Sequence, residues 1–174
     1  AFYPSKFKKA VGLSIDGFGD FCSISIAKCE NEKIDIIKKI FFPDSLGVFY
    51  ESFTQLIGFK NYGDEYKMMG LSSYGEPKYY DIILKNLFKE EKSIKLNLKY
   101  FNHTNKNYVY KFQGKPVQNN LFSHNLKNLF NIDELSIDNI TDLQKDLASS
   151  VQKIFEHKLF EIIKEIKNLN YSDN

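Results

Sequence analysis

The sequence predicts a mixed α/β fold, in which a three-stranded antiparallel meander is followed by helices and an inserted region. Two observations carry this prediction. Residues 11–41 form three short runs that alternate apolar and polar residues, and the links between them are too short for parallel crossovers. Residues 141–170 carry a long apolar stripe at helical spacing. A chain of 174 residues is sufficient for one ordinary domain.

The three predicted strands begin with the alternation of Val11, Leu13 and Ile15. A second alternation starts at Cys22, and a third strand covers residues 34–42. The links are the turn-rich run at residues 16–20 and the polar run at residues 30–33.

A helix should follow, with Asp44 or Ser45 as its N-cap and Gly58 at its C-terminal end. Apolar residues then recur on one face of this helix at positions 46, 49, 50, 53, 56 and 57. Residues 10–58 are therefore predicted to form a β-β-β-α unit.

Residues 59–140 are predicted to be an insertion, because their apolar content is too patchy for a separate core. Short helices are expected over residues 66–73 and 79–88. Residues 94–101 and 108–112 are expected to pair as a polar hairpin, with Gly114 and Pro116 closing the segment.

The last helix is predicted over residues 141–170 and ends near Asn168. Thr141 and Gln144 have the spacing of a capping box. The apolar stripe of this helix needs a cover, and the sequence stops where a covering strand would be expected. We therefore expect exposed apolar surface and self-association of the chain.

Composition narrows the class of function. The net charge is only +2 and the lysines are spread among acids, so a nucleic-acid-binding protein is not indicated. No apolar run is long enough to span a membrane, and Cys22 and Cys29 fit free thiols of a reducing cytoplasm. The spacing of the histidines does not fit a metal site, and His103 and His124 are expected in surface loops.

Two segments could carry chemistry. In the first, residues 16–20, glycines let a backbone approach an anion, and Asp16 could hold a metal or orient a nucleophile. A plain hairpin turn explains the same residues. In the second, residues 63–77, Glu65 could bind a ribose hydroxyl and Lys67 a phosphate. A surface salt bridge beside a buried methionine pair is the alternative there.

Several strings resemble the NodU/CmcH carbamoyltransferase family. The longest is Glu65-Tyr66-Lys67-Met68-Met69-Gly70-Leu71-Ser72-Ser73-Tyr74-Gly75-Glu76-Pro77. The strings at residues 1–5, 13–20, 41–47 and 146–153 fit the same family in the same order. The resemblance covers nearly the whole chain and is weakest at residues 90–135.

The resemblance implies a Kae1-like domain of the actin/Hsp70 (ASKHA, RNase H-like) superfamily, followed by a YrdC-like domain. It implies that carbamoyl phosphate and ATP form a carbamoyl-adenylate, and that a bound iron takes part in transfer of the carbamoyl group to an alcohol acceptor.

On this resemblance Asp16 is the metal-binding aspartate. Gly17, Gly19 and Asp20 lie in the turn on the phosphate side, and Glu65, Lys67 and Gly70 lie in the signature string.

The same resemblance places a pair of metal-binding histidines before Ala1, and a further metal-ligand aspartate and the YrdC-like domain after Asn174. The chain is therefore expected to be an internal piece, inactive alone. The alternatives are a non-catalytic module that binds a nucleotide or a partner, and an ATP-dependent kinase of the same superfamily.

Overall fold

The structure is a computed structural model that describes residues 1–90, 94–114 and 116–172. The predicted insertion 59–140 includes residues 91–93 and 115, which lie outside the described residues. In chain order the elements are β1 (Lys9–Gly19), β2 (Cys22–Glu30), β3 (Lys33–Phe41), α1 (Leu46–Leu56), α2 (Glu65–Ser72), α3 (Tyr80–Leu87), β4 (Tyr110–Phe112), β5 (Pro116–Gln118), α4 (His124–Leu129) and α5 (Asp142–Asn168). The predicted mixed α/β class is confirmed.

The first three strands form the predicted antiparallel sheet in the order β1-β2-β3. The predicted turn at residues 16–20 is wrong, because β1 continues to Gly19 through a shift of register between Ile15 and Gly19. The tight turn is made by Asp20 and Phe21, whose φ angles are 51° and 61°. A bulge of this kind lets extra residues continue a strand without pairing, so the glycines lengthen β1 and do not end it.

β3 is an outer strand of this sheet, and it is the more exposed of the two outer strands. Every residue of β3 except Ile40 is exposed, whereas β2 is mostly buried. The apolar side chains left open on β3 are those of Ile34, Ile36, Ile37 and Phe41.

α1 begins where the sequence predicts. The Ser45 side chain caps it by accepting a hydrogen bond from the Val48 amide at 3.1 Å. Gly58 follows the helix with a φ of +105°, a conformation that glycine adopts without strain. At the other end, a Cβ on Gly47 would lie 2.8 Å from the Gly17 Cα atom. The start of α1 therefore rests directly on the bulge of β1.

Within residues 59–140, the two predicted short helices are confirmed to within one residue as α2 and α3. The predicted hairpin is wrong. β4 pairs with β5 across Gly114, whose φ is +71°, and residues 94–101 make single bridges from Leu96 to Phe88 and from Phe101 to Phe122. A local turn closes a shorter loop than the predicted pairing would, so it costs less chain entropy.

α5 begins with the predicted capping box, in which the Gln144 side chain accepts from the Thr141 amide at 2.8 Å. Much of its apolar stripe is covered, since Leu147, Val151 and Ile154 are fully buried. The cover comes from α1, α2 and α3. Among the described elements, no helix combines the length and the apolarity that a bilayer span requires.

Candidate functional site

A cavity of about 950 Å³ lies at the start of α1. Its walls come from β1, α1, α2, α5 and the segment from His103 to Leu121. Regions far apart in the sequence therefore meet here. A volume of this size lies at the upper end of what small-molecule sites occupy, roughly 300–1,000 Å³.

The wall from β1 contains the predicted residue Asp16, followed by Gly17 and Phe18. An Asp16 carboxylate oxygen accepts a hydrogen bond from the Gly17 amide at 2.6 Å. The Ser45 hydroxyl donates to the Gly17 carbonyl at 2.7 Å, so the cap of α1 also fixes the bulge. Gly19 and Asp20 do not line the cavity, although a Cβ on Gly19 would lie 3.5 Å from the Asp16 carboxylate.

The wall from α2 contains Glu65, Tyr66 and Met69. Lys67 and Gly70 do not line it. The Lys67 ammonium pairs with Asp64 at 2.6 Å, and this hydrogen bond raises the pKa of Lys67. The structure therefore brings Glu65 to the cavity of Asp16 and holds the predicted phosphate-binding lysine in an ion pair.

The rest of the signature string attaches α2 to α5. A Cβ on Gly75 would overlap the Lys145 carbonyl, so only glycine fits without a shift. The Glu76 amide donates to the Asp146 carboxylate at 2.8 Å, and the Lys78 ammonium contacts the same carboxylate at 2.6 Å. This end of the string positions the helix and is not part of the cavity.

Glu51 is a cavity residue that the sequence analysis missed. Its carboxylate accepts a hydrogen bond from Gln118, whose side-chain oxygen in turn accepts from the Tyr108 hydroxyl at 3.1 Å. Burial raises the pKa of Glu51, the Gln118 hydrogen bond lowers it, and the charge of Glu65 raises it further, with a net upward shift. Glu51 lies on a helix whose other face is apolar, so nothing local distinguished it from a solvated glutamate.

His103 was predicted in a surface loop; it does lie in a loop, but its side chain is half-buried. The ring lies against Phe18, Phe42 and Phe101 on the cavity wall. Its Nε2 atom lies 2.8 Å from the Pro43 carbonyl, which can only accept, so the proton is on Nε2. Burial lowers the pKa of His103, which keeps the imidazole neutral.

The α5 wall is joined to α1 by a short chain of hydrogen bonds. The Tyr50 hydroxyl donates to the Gln152 side-chain oxygen at 2.7 Å, and Gln152 donates to Glu156 at 2.8 Å. Burial raises the pKa of Tyr50, so its hydroxyl stays a donor at neutral pH.

The cavity is acidic. Among the residues that the structure describes, Asp16, Glu51 and Glu65 line it and no lysine does, although the chain has 24 basic residues, all of them lysine. A metal site needs several ligands, and the described ranges contain no group of three or more His, Cys, Asp or Glu side chains that could hold an ion. Asp16 is therefore a single carboxylate that does not make an iron site with these residues alone.

An aromatic cavity with a few placed carboxylates, built on a small α/β domain, is typical of a domain that binds and transforms a small molecule. The sequence profile described as "Carbamoyltransferase N-terminus" matches residues 1–173. The chain belongs to this carbamoyltransferase family, as its sequence motifs predict.

Several relatives match parts of the chain. The uncharacterized protein sll1178 of Synechocystis is 36% identical over 90% of this chain and 24% of its own length. The nodulation protein NolNO of Sinorhizobium fredii is 38% identical over 44% of this chain and 11% of its own length. The nodulation protein NolO of Bradyrhizobium diazoefficiens is 39% identical over 46% of this chain and 14% of its own length. The chain thus spans about a quarter or less of these relatives.

Proposed function

We propose that the chain forms part of a carbamoyltransferase that passes a carbamoyl group from carbamoyl-adenylate to an alcohol. The donor would be made from carbamoyl phosphate and ATP. The observation that carries the proposal is the match of the carbamoyltransferase family to residues 1–173, in a chain whose cavity contains Asp16 and Glu65.

The proposed reaction needs a group that accepts a proton. The alcohol oxygen attacks the carbamoyl carbon, the bond to the adenylate oxygen breaks, AMP leaves, and the alcohol proton passes to a base. A carboxylate whose pKa is raised toward neutrality suits that role. We propose Glu51 for this role, because it lies in the cavity wall and burial raises its pKa.

We propose that Asp16 supplies one ligand to the iron that the family resemblance implies. The remaining ligands would come from outside the described residues, so no step of the reaction is derived through the metal. The nucleotide-binding role remains a prediction for Gly17, Gly19, Asp20, Lys67 and Gly70.

We also propose that the fold is a Kae1-like, ASKHA subdomain in a cytoplasmic protein. The β-β-β-α order of the elements supports this superfamily. The return of the chain after α5 to the sheet also supports it: the Ser172 hydroxyl donates to the Lys9 carbonyl of β1 at 3.2 Å. The free thiols of Cys22 and Cys29 are consistent with a reducing compartment.

The function is tested with carbamoyl phosphate, ATP, iron and a panel of alcohols. We expect no turnover by the 174 residues alone, and turnover by a longer protein that contains them. In the longer protein, Asp16→Asn should lower iron content and transfer together while carbamoyl-adenylate still forms. Asp35→Asn, at an exposed position of β3, is the control and should change neither. Unchanged iron content in Asp16→Asn would contradict the ligand role.

A further inference from the structure

The hairpin of β4 and β5 brings two polar side chains to Glu51 on α1. Tyr110 of β4 pairs with Gln118 of β5, and Tyr108 lies two residues before Tyr110. The Gln118 side-chain oxygen accepts a hydrogen bond from the Tyr108 hydroxyl at 3.1 Å. The amide group of Gln118 donates to the Glu51 carboxylate. Tyr108, Gln118 and Glu51 therefore form one hydrogen-bond network between the hairpin and α1.

The chemistry of these groups fixes the direction of the network when Glu51 is ionised. A carboxylate only accepts hydrogen bonds, so the NH₂ group of Gln118 has to face it. The Gln118 oxygen then faces Tyr108, whose hydroxyl donates. Burial raises the pKa of Tyr108, and the charge of Glu51 raises it further, so this hydroxyl keeps its proton.

The same groups can also satisfy a protonated Glu51, if the network runs in the opposite direction. A protonated carboxyl has an O–H group that donates. When the Gln118 amide turns by half a revolution, its oxygen accepts from Glu51 and its NH₂ group donates to the Tyr108 oxygen. A hydroxyl can accept as well as donate, so both directions leave no group of the network without a partner.

Other titratable groups share the cavity wall with Glu51. Burial raises the pKa of Glu51, the hydrogen bond from Gln118 lowers it, and the charge of Glu65 on α2 raises it. α5 contributes only uncharged side chains to the described wall. The other titratable residues of that wall are Asp16, Glu65, His103, Tyr50, Tyr62, Tyr66, Tyr108 and Tyr110. Tyrosines ordinarily titrate near pH 10, so the two carboxylates and the histidine have to be followed beside Glu51.

We propose that Tyr108 and Gln118 are positioning residues for Glu51, and that the Gln118 amide reverses its direction when Glu51 gains or loses a proton. The use of this reversal in catalysis rests on the proposed function: Glu51 would take the proton of the acceptor alcohol, and later release it to water, with a hydrogen-bond partner in both states. The reversal itself rests on the contacts of the described residues and does not require the reaction.

The reversal is tested on the 174-residue chain by NMR titration between about pH 4 and about pH 8. The carboxyl carbon of Glu51 reports its protonation, and the side-chain NH₂ signals of Gln118 report the partner of that group. Both should titrate with one midpoint, and Glu51→Gln should remove this midpoint from the Gln118 signals. Gln118 signals that do not follow the Glu51 midpoint would overturn the proposal.

Variants of the network give a second test, with circular dichroism as the check that each is folded. Gln118→Met keeps the side-chain length and removes both polar ends. Hydrogen bonds to charged groups are the stronger ones, so the ionised state loses more and the Glu51 midpoint should rise by about 0.5–1 pH unit. An unchanged or lower midpoint would overturn the proposal.

Tyr108→Phe releases the far end of the amide, so it should reduce the pH-dependent change of the Gln118 signals. A full change in this variant would overturn the role of Tyr108. Gln152→Met is the matched control, because it removes an amide of the cavity wall that bonds to Tyr50 and Glu156 and not to Glu51. It should leave the Glu51 midpoint where it is in the wild type.

The transfer reaction of the longer protein separates this proposal from the proposed function. Gln118→Met should move the acid side of the pH profile of transfer upward, by the same amount as the Glu51 midpoint. No transfer by the longer wild-type protein would contradict the proposed function and leave the reversal intact. Transfer whose pH profile does not move in Gln118→Met would contradict the use of the reversal in catalysis.

Discussion

At the scale of single residues, the surroundings of a carboxylate decide its pKa and its possible role in the cavity. Asp16 and Glu65 were predicted from motifs, whereas Glu51 is one glutamate on a helix and is distinguished only by what surrounds it. Gln118 and Tyr108 hold it from a distant segment, and burial disfavours its ionised form. An ionised Glu51 therefore lowers the free energy of unfolding, and a substitution can measure by how much.

Glu51→Gln should raise the melting temperature at pH 7. The pKa of Glu51 is raised in the folded state, so its stabilising contribution is full below the unfolded pKa of about 4.3 and is lost as pH rises through the folded pKa. Glutamine keeps the oxygen that accepts from Gln118 and stays neutral. The gain should be largest above the folded pKa and should shrink as the pH falls toward the unfolded pKa of about 4.3, at about 2–4 °C per kcal/mol for a chain of this length.

The measurement is a series of thermal melts at constant ionic strength. Glu32→Gln, in the exposed turn between β2 and β3, is the control and should give a difference from wild type that does not change with pH. A Glu51→Gln variant that is less stable than wild type at pH 7 would contradict this account.

At the scale of elements, the contact between the end of α2 and the start of α5 depends on one glycine. The loop after α2 approaches α5 so closely at Gly75 that a methyl group would overlap the Lys145 carbonyl. Asp146 then holds this loop through the Glu76 amide and Lys78. The contact fixes α2, and with it the position of Glu65 in the cavity wall.

Gly75→Ala and Gly70→Ala should therefore change stability in opposite directions. Gly75→Ala should cost about 1–3 kcal/mol, because the backbone of α5 has to move. Gly70 lies inside α2, and a methyl group added there would meet no neighbouring atom within 4 Å, so alanine should add about 0.5–1 kcal/mol through helix propensity. Urea unfolding measures the free energy of unfolding of both variants, provided that its linear dependence on urea concentration keeps the wild-type slope. Equal effects of the two substitutions would contradict the close approach at Gly75.

At the scale of the whole molecule, the exposed apolar surface lies on the sheet and less on α5. The stripe of α5 was expected to lack a cover, but three other helices pack on it. β3 instead leaves Ile34 and Ile36 exposed by 43% and 52%. An open edge strand with apolar side chains is prone to pair with another chain.

We therefore expect self-association through β3. Sedimentation velocity should show the average mass rising with concentration. The double variant Ile34→Thr/Ile36→Thr keeps β-branched residues at two positions on one face of β3, and should shift the chain toward the monomer. Val117→Thr, at a 42% exposed position of β5, is the control and should behave as wild type. A wild-type monomer at every concentration would contradict the expectation.

The sequence by itself determined the elements whose signals are local. Alternation predicts the three strands. Asp44 or Ser45 predicts the start of α1, the pair Thr141 and Gln144 predicts the start of α5, and the signature string predicts the family. Each signal lies within a few residues, because strand period, helix period and capping depend on neighbours along the chain.

The tertiary structure decided which side chains meet. Glu51 and Gln118 are 67 residues apart, and His103 reaches the Pro43 carbonyl across 60 residues. The sequence analysis predicted the wrong partner for β4, and it left the pairing of Lys67 open. Charge, burial and free volume at one point depend on every segment packed around it, so an acidic, tyrosine-lined cavity has no local pattern from which it could be predicted.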